Sequence, residues 1–295
     1  MLGDRSPCKR TVSSNPTPSA PVVTVSGVPI GWLRGNIDEL RRGRAIERRR
    51  AQEERRFRQA VADGRAVRGV QRDVYAHFRS AAPEWNDFDE VREGLFTRPL
   101  HPEIRAVLKV AALTGASYTL CWGVSLAFVP HVTSTGTSLH RTAKSSRLDL
   151  WVDAHIELDE DRSGVGPDGR VAHRSCGDGS VWWVPQDFEA LWSACRELAY
   201  AWWERVTTPS GVLEVAREQL EDRWAMSVHY PSPLYVAAFT TARLGDAEGA
   251  RRLLERELQK WYVHMPDSSQ HPHDPQRLRD ALERIASTGA DHDGV

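Results

Sequence analysis

The stretch from Arg147 to Asp159, RLDLWVDAHIELD, alternates apolar and polar residues, and it constrains the fold more than any other segment. Successive side chains of an extended strand point to opposite sides, whereas an amphipathic helix needs apolar residues at every third or fourth position. The alternation therefore predicts a β-strand with one buried apolar face. The opposite, polar face carries the candidate site residues Asp149, Trp151, Asp153, His155 and Glu157.

Three interpretations of this polar face follow from its chemistry. Carboxylates at alternate positions of a strand lie about 6 to 7 Å apart on one side of it, and such a column can serve a metal ion or a pair of acid and base groups. The sequence contains no clear second acidic cluster to complete a metal site, which favours a solvated sheet face or charges that protect a sheet edge. A protein-binding surface around Trp151 is the third interpretation.

The net charge of -1 conceals a strongly basic segment from Arg34 to Arg72, where 13 arginines accompany six acidic residues. Its abundant Arg, Glu, Gln and Ala, with no proline, predict a helix from about Asn36 to Ala62. Such an arm can dock on the acidic remainder of the chain, or it can bind nucleic-acid phosphates or another acidic partner. The candidate contact residues are Arg41, Arg42, Arg44, Arg48, Arg49, Arg50, Arg55, Arg56 and Arg58.

The middle of the chain changes from a helical period to a period of two. Apolar stripes predict helices from Val70 to Ser80 and from His101 to Leu113. Alternation from Tyr118 to Phe128 then predicts a strand, close enough to the strand at 147–159 to pair with it in antiparallel fashion. A glycine-containing turn predicts a further hairpin, between 170–175 and 180–184.

The C-terminal part returns to a helical period. A Trp-rich helix from Gln186 to Val206 has Trp192, Leu198 and Trp202 among the residues expected to face inward. Thr208-Pro209 is typical of a helix start. Two helices, 233–243 and 247–262, are separated by Leu244-Gly245-Asp246, and a last helix covers 274–285.

Together these patterns predict an α+β fold: a small antiparallel sheet of about four strands packed by helices, with a helical C-terminal half and a basic helical N-terminal arm. The predicted organisation is a disordered leader at 1–33, the arm at 34–72, an α+β body at 73–262, and a linker, short helix and tail at 263–295. Proline and serine without a hydrophobic period characterise the leader.

Other candidate sites have weaker patterns. The loop from His131 to Ser146 is rich in Ser and Thr, and His140, Arg141 and Lys144 make it a candidate anion loop, although a solvated hairpin loop is favoured. Neither a metal ion nor a cofactor is predicted, because no metal-ligand, Walker or glycine-rich cofactor motif is present. The four scattered cysteines predict free thiols in the cytoplasm, and the longest apolar run is too short for a membrane span.

Residues 74–259 resemble a family of bacterial domains of unknown function that place a small antiparallel sheet before a helical tail. The matching stretches are CWGVSLAFVPHV, HRTAKSSRLDLW and YVAAFTTARLGDAEGARRLLERELQ. The resemblance implies a non-catalytic interaction domain, with some relatives near toxin-immunity or defence genes, and it implies no site residues.

The functional hypothesis is therefore a non-catalytic cytosolic binding or regulatory protein of bacterial origin, with another protein as its partner. One alternative is a nucleic-acid-associated protein that uses the arginine-rich arm. A second alternative is a metal-dependent hydrolase that uses the polar face of strand 147–159.

Overall fold

The computed structural model describes residues 48, 51–52, 54–81, 87–113, 117–133, 136–139, 142–154, 169, 171–175, 178–221, 231–264 and 274–289. The chain divides into one unit that ends at Gln52 and a larger unit that begins at Glu53. The larger unit contains all the strands and named helices given below.

Eight strands in the described part of the chain form one antiparallel sheet. In chain order they are β1 (Val67–Gly69), β2 (Asp89–Arg92), β3 (Leu95–His101), β4 (Ile104–Leu113), β5 (Ser117–Leu126), β8 (Leu150–Asp153), β9 (Val171–Ser175) and β10 (Val181–Trp183). Their spatial order is β1-β10-β9-β5-β4-β3-β2, and β8 also pairs with β5. Two more strands, β6 (Pro130–Thr133) and β7 (Gly136–Leu139), form a separate hairpin.

Within the described residues, six helices accompany the strands, together with a helical segment at 54–62. They are α1 (Gln71–Ala81), α2 (Pro185–Arg205), α3 (Pro209–Glu221), α4 (Pro233–Arg243), α5 (Ala247–His264) and α6 (Pro275–Gly289). No helix in these parts of the chain is long and apolar enough to cross a membrane. The predicted α+β class and the helical C-terminal half are thus confirmed.

Strand β5 is the centre of the sheet. One edge pairs with β4 along its whole length, from Ser117 opposite Leu113 to Leu126 opposite Ile104. The other edge is shared, because β9 pairs with the first residues of β5 and β8 pairs with residues 121–124. The predicted antiparallel pairing of this strand with the segment after Arg147 is therefore confirmed.

Helix α2 covers one face of the sheet. The ring of Phe188 lies 6.3 Å from the ring of Tyr118, centroid to centroid. Nearer the end of α2, the indole Nε1 of Trp203 donates a hydrogen bond of 2.8 Å to the carbonyl oxygen of Gly123. Since side chains alternate along a strand, the even-numbered residues of β5 face this helix.

A chain segment at 142–148 covers part of the opposite face. Arg92 at the edge strand β2 donates to the carbonyl oxygen of Ser146 at 2.8 Å, and the backbone N–H of Arg147 donates to Oγ of Ser125 at 3.3 Å. The segment thus links β2 with β5. Because it crosses there, Ser125 and Ser146 are buried although both are polar.

The antiparallel sheet is present as predicted, and within the described residues it has eight strands. One prediction of a helix is wrong, because the segment at 101–113 contains strand β4. The sequence of this segment fits both periods. Ile104, Leu108 and the even position between them are apolar at every second residue, as in a strand. Val107, three residues after Ile104, adds the spacing of an apolar helix face. Pairing with β3 and β5 on both edges favours the strand, and Val107 is buried on the second face.

The structure differs from the sequence interpretation in two further places. Residues 67–69, placed in the arm from sequence, form the edge strand β1, which pairs with β10. Leu198, expected to face inward, has an exposed fraction of 42%, whereas Trp203 is fully buried. The turn at Gly245, with φ of 84°, and the hairpin of α4 and α5 agree with the prediction.

Replacement of Trp192 by alanine tests the position of α2 in the core. Trp192 is 4% exposed, and we expect the change to lower the free energy of unfolding by about 3 to 5 kcal/mol, because it leaves a cavity. Leu198→Ala on the same helix is the matched control and should change stability by less than about 0.5 kcal/mol. Similar denaturant midpoints for the two variants would contradict the assignment.

Candidate functional site

Asp149, at the start of the predicted polar face, is fully buried. Its Oδ2 accepts a hydrogen bond of 2.8 Å from the backbone N–H of Leu126, the last residue of β5. Its Oδ1 accepts one of 2.6 Å from Nε of Arg147. The carboxylate therefore satisfies a backbone donor where the β-ladder ends, which is a structural task.

Arg147 extends this contact to the helical half of the protein. Its Nη2 donates to the carbonyl oxygen of Pro130 at 3.1 Å, and its Nη1 contacts Nδ1 of His131. The same carbonyl oxygen accepts a hydrogen bond of 2.9 Å from the hydroxyl of Tyr235 in α4. The central strand, the hairpin of β6 and β7, and α4 thus meet at one polar joint, formed by Pro130, His131, Arg147, Asp149 and Tyr235.

Burial and charge act in opposite directions on the pKa of Asp149. Burial raises this pKa to about 6, while the charge of Arg147 and the hydrogen bonds from Leu126 and Arg147 act to lower it. At His131, burial and the nearby charge of Arg147 both lower the pKa. The lowered pKa favours the neutral imidazole, which can accept a hydrogen bond from Arg147.

Asp153, at the end of β8, lies in a second buried corner of the sheet. The hydroxyl of Thr119 lies 3.0 Å from its Oδ1 and 2.6 Å from the carbonyl oxygen of Gly169. Cys121 stands opposite Asp153 in the strand register. Burial, reinforced by the charge of Asp153, holds the pKa of the Cys121 thiol well above its ordinary value, so the thiolate needed for a nucleophile is disfavoured.

Trp151, between the two aspartates, is half-buried and opposes Gly123 on β5. Its carbonyl oxygen accepts a hydrogen bond of 3.0 Å from Nε2 of Gln219 in α3. A side chain at position 123 would place its Cβ 2.2 Å from the carbonyl oxygen of Leu150, so only glycine allows this close approach. The other two candidates, His155 and Glu157, lie outside the described residues.

The expectation of a solvated polar face is wrong for both aspartates, because Asp149 is 0% and Asp153 is 5% exposed. The polar joint brings Asp149 together with residues that sequence reasoning did not assign to it. One signal was available: Arg147 and Asp149 are two residues apart and so lie on the same side of an extended chain. Nothing local in the sequence indicates that His131 and Tyr235 would join them.

The arginine-rich arm is described only in part. Arg41, Arg42, Arg44, Arg49 and Arg50 lie outside the part of the chain that the structure describes, and Arg48 lies in the smaller unit. In the larger unit, the helical segment at 54–62 packs Phe57 and Ala60 against Val184 and Trp182. Its candidate arginines, Arg55, Arg56 and Arg58, are exposed.

Arginines between residues 54 and 69 also form ion pairs, within the helical segment and with the body. Arg58 pairs with Glu54 of the same segment at 2.8 Å, and Arg68 in β1 pairs with Asp178. At the start of α2, burial raises the pKa of Asp187, while Arg65 and Arg56 act to lower it. The part of the arm in the larger unit therefore contacts the body through apolar packing of Phe57 and Ala60 and through the charges of its arginines.

The candidate anion loop and the metal hypothesis gain no site from the described residues. His140 and Arg141 lie outside them, and Lys144 is exposed in the 3-10 turn Ala143–Ser145. Within the residues described, no group of three or more His, Cys, Asp or Glu side chains could hold a metal ion.

Comparisons of the chain with protein-family models, curated proteins and solved structures found no match.

Replacement of Arg147 by methionine tests the polar joint. The change removes the charge that opposes the effect of burial, so the pKa of Asp149 should rise above its present value of about 6. We expect unfolding free energy to fall by about 3 to 5 kcal/mol well above that pH, where the variant holds an unpaired buried carboxylate. The loss should shrink below pH 6, where Asp149 is protonated in both proteins.

The double variant Arg147→Met with Asp149→Asn is the control for this pH dependence. It has no titrating group at position 149, so its stability curve should lack the extra fall that the single variant shows as the pH rises. Denaturant unfolding across the pH range measures both proteins. Parallel curves for the single and the double variant would contradict a buried charge pair.

Proposed function

We propose that this chain is a cytoplasmic binding or regulatory protein that holds a partner protein and acts without catalysis of its own. The observation that supports this proposal is that the carboxylates of Asp149 and Asp153 both have hydrogen-bond partners within the fold. Asp149 accepts hydrogen bonds from Leu126 and Arg147, and the oxygen of Asp153 lies beside the hydroxyl of Thr119.

A catalytic or metal-binding use of the strand would require carboxylates that substrate, water or a cation can reach. Both aspartates are instead buried and hydrogen-bonded within the sheet. Breaking those contacts to bind a ligand would leave the backbone N–H of Leu126 and the guanidinium of Arg147 without their partner. Binding through the outer surface of the body carries no such cost.

The resemblance of residues 74–259 to bacterial interaction domains of unknown function is consistent with this proposal. It would place the partner among the proteins encoded near toxin-immunity or defence genes. The buried free thiols of Cys121 and Cys195 accord with a reducing compartment.

Thermal unfolding in the presence of Mg²⁺, Mn²⁺ or Zn²⁺ separates the proposal from the hydrolase alternative. A cation that binds the native state must raise the unfolding temperature in a saturable way. We expect no such rise that depends on Asp153, so the wild type and Asp153→Asn should respond alike. A saturable rise that the variant loses would support the hydrolase and overturn the proposal.

Affinity capture by the full chain gives the positive test of a protein partner. A partner recovered at a fixed stoichiometry, and recovered equally well by Asp153→Asn, is the expected result. Recovery of no partner under gentle conditions would count against the proposal.

A second candidate function is nucleic-acid binding, which the exposed arginines of the docked helical segment favour. Phe57 and Ala60 fix the segment to the body, so Arg55 and Arg58 are held on a formed surface. A positioned arginine loses less side-chain freedom on binding a phosphate than one on an unstructured chain. The internal pair of Arg58 with Glu54 opposes this function, because it must open.

Neutralisation of this surface tests the second candidate. Changing Arg55, Arg56 and Arg58 to glutamine should weaken retardation of DNA or RNA at low salt about tenfold or more. The slope of log affinity against log salt concentration should also become less steep, by about 0.9 for each phosphate that the variant no longer neutralises.

The matched control removes the same charge elsewhere, by changing the exposed Arg252, Arg256 and Arg284 to glutamine. This control should bind like the wild type. Equal weakening in both triple variants would show that total charge, rather than the arm, determines binding.

A further inference from the structure

We propose that the guanidinium of Arg98 is a binding site for a carboxylate group of a partner molecule. This inference rests on the proposed binding function in one respect, because that function supplies the partner molecule that bears the carboxylate. Arg98 lies on β3, on the face of the sheet that α2 covers. Residues directly opposite each other in paired strands share a face, and Arg98 lies opposite Ala106, just as Phe96 lies opposite Leu108. Ala106 and Leu108 belong to the even-numbered row of β4, which faces this helix.

Three aromatic rings hold the guanidinium in place. Its central carbon lies 5.0 Å from the ring centroid of Phe88, 5.2 Å from that of Tyr200 and 5.6 Å from that of Trp203. Phe88 and Trp203 are buried, and their rings lie 5.4 Å apart. The rings attract the cation through their quadrupoles and fix its orientation.

This arrangement stabilises the cation without supplying an anion. The Nε of Arg98 is buried and has no hydrogen-bond partner. Across the described ranges, Arg98 takes part in no ion pair, and its terminal nitrogens make no hydrogen bond. The residue as a whole is half-buried, so those terminal nitrogens remain within reach of solvent.

Two other half-buried arginines of this fold have a carboxylate partner. Arg147, with 16% of its side chain exposed, pairs with Asp149 at 2.6 Å. Arg243, with 15% exposed, pairs with Glu103 at 2.8 Å. Removing a guanidinium from water is costly unless an anion or several acceptors compensate for it. Arg98 therefore has a capacity to bind an anion that Arg147 and Arg243 have already filled with a carboxylate of the fold.

The chemistry of the site favours a carboxylate over a phosphate. One guanidinium balances the single charge of a carboxylate and can bind it through two parallel hydrogen bonds, whereas the second charge of a phosphate would be uncompensated. The ring of Tyr200 is half-buried and lies beside the guanidinium, so it offers apolar surface to the group that bears the carboxylate. An acidic segment of a protein partner presents this chemistry.

The experiment measures thermal unfolding of the full chain with sodium benzoate or sodium phosphate at constant ionic strength. Benzoate carries a carboxylate next to an apolar ring, so it should raise the unfolding temperature in a saturable way. Arg98→Lys keeps the charge but loses the planar fork, and the apparent affinity should fall about tenfold. Arg98→Met should abolish the response.

Arg105→Met is the matched control. Arg105 is also half-buried, but it belongs to the odd-numbered row of β4, which faces away from α2. This variant should respond to benzoate like the wild type. A response of Arg98→Met equal to that of the wild type, or no saturable response of the wild type, would overturn the proposal. A phosphate response as strong as that to benzoate would overturn the assignment to a carboxylate.

Failure of this proposal can be distinguished from failure of the proposed function. A protein partner captured equally well by the wild type and Arg98→Met, without a benzoate response, would remove only the Arg98 site. A benzoate response lost in Arg98→Met, without any captured partner, would leave the site and remove the proposed protein partner.

Discussion

The close approach of β8 to β5 at Gly123 is the constraint on which the rest of the structure depends. β5 has partners along both edges, so its backbone cannot shift to accommodate a side chain at this position. A Cβ there would meet the backbone of Leu150 at 2.2 Å and the Cβ of Trp151 at 2.6 Å. The same glycine carbonyl accepts the indole N–H of Trp203, so β8 and α2 are both positioned by one residue.

From this centre, the polar joint fixes the end of the sheet to the helical half. Asp149 binds the last residue of β5, Arg147 binds Asp149 and Pro130, and Tyr235 of α4 binds Pro130. A purely apolar contact could supply comparable stability, but hydrogen-bonded charges also require one alignment of the elements. The joint thus orients the helical half relative to the sheet, and this use explains why its carboxylate is buried.

The sequence predicted the parts of the fold that local patterns determine. Its predictions were wrong where the structure depends on contacts between residues that lie far apart in the chain. The helices after Pro185, the hairpin around Gly179 and the strand at Ser117–Leu126 have clear periods and turn residues. At Ile104–Leu113 both periods fit, and only pairing on two edges selects the strand. The polar face of the strand after Arg147 was misinterpreted as solvated for the same reason, because its partners, such as Thr119 and Leu126, lie more than twenty residues earlier in the chain.

Function in this protein is best sought among the polar groups that the fold does not use. A group whose hydrogen bonds hold the sheet together cannot exchange them for a ligand without loss of stability, and this applies to Asp149 and to Arg147. A group that the fold positions but leaves without an anion has already lost its conformational freedom on folding, so a ligand binds it at low entropic cost. Arg98 meets this condition most fully, because three rings position it and none supplies a negative charge. The arginines at 55–58 meet it less fully, because Arg58 has an internal carboxylate partner.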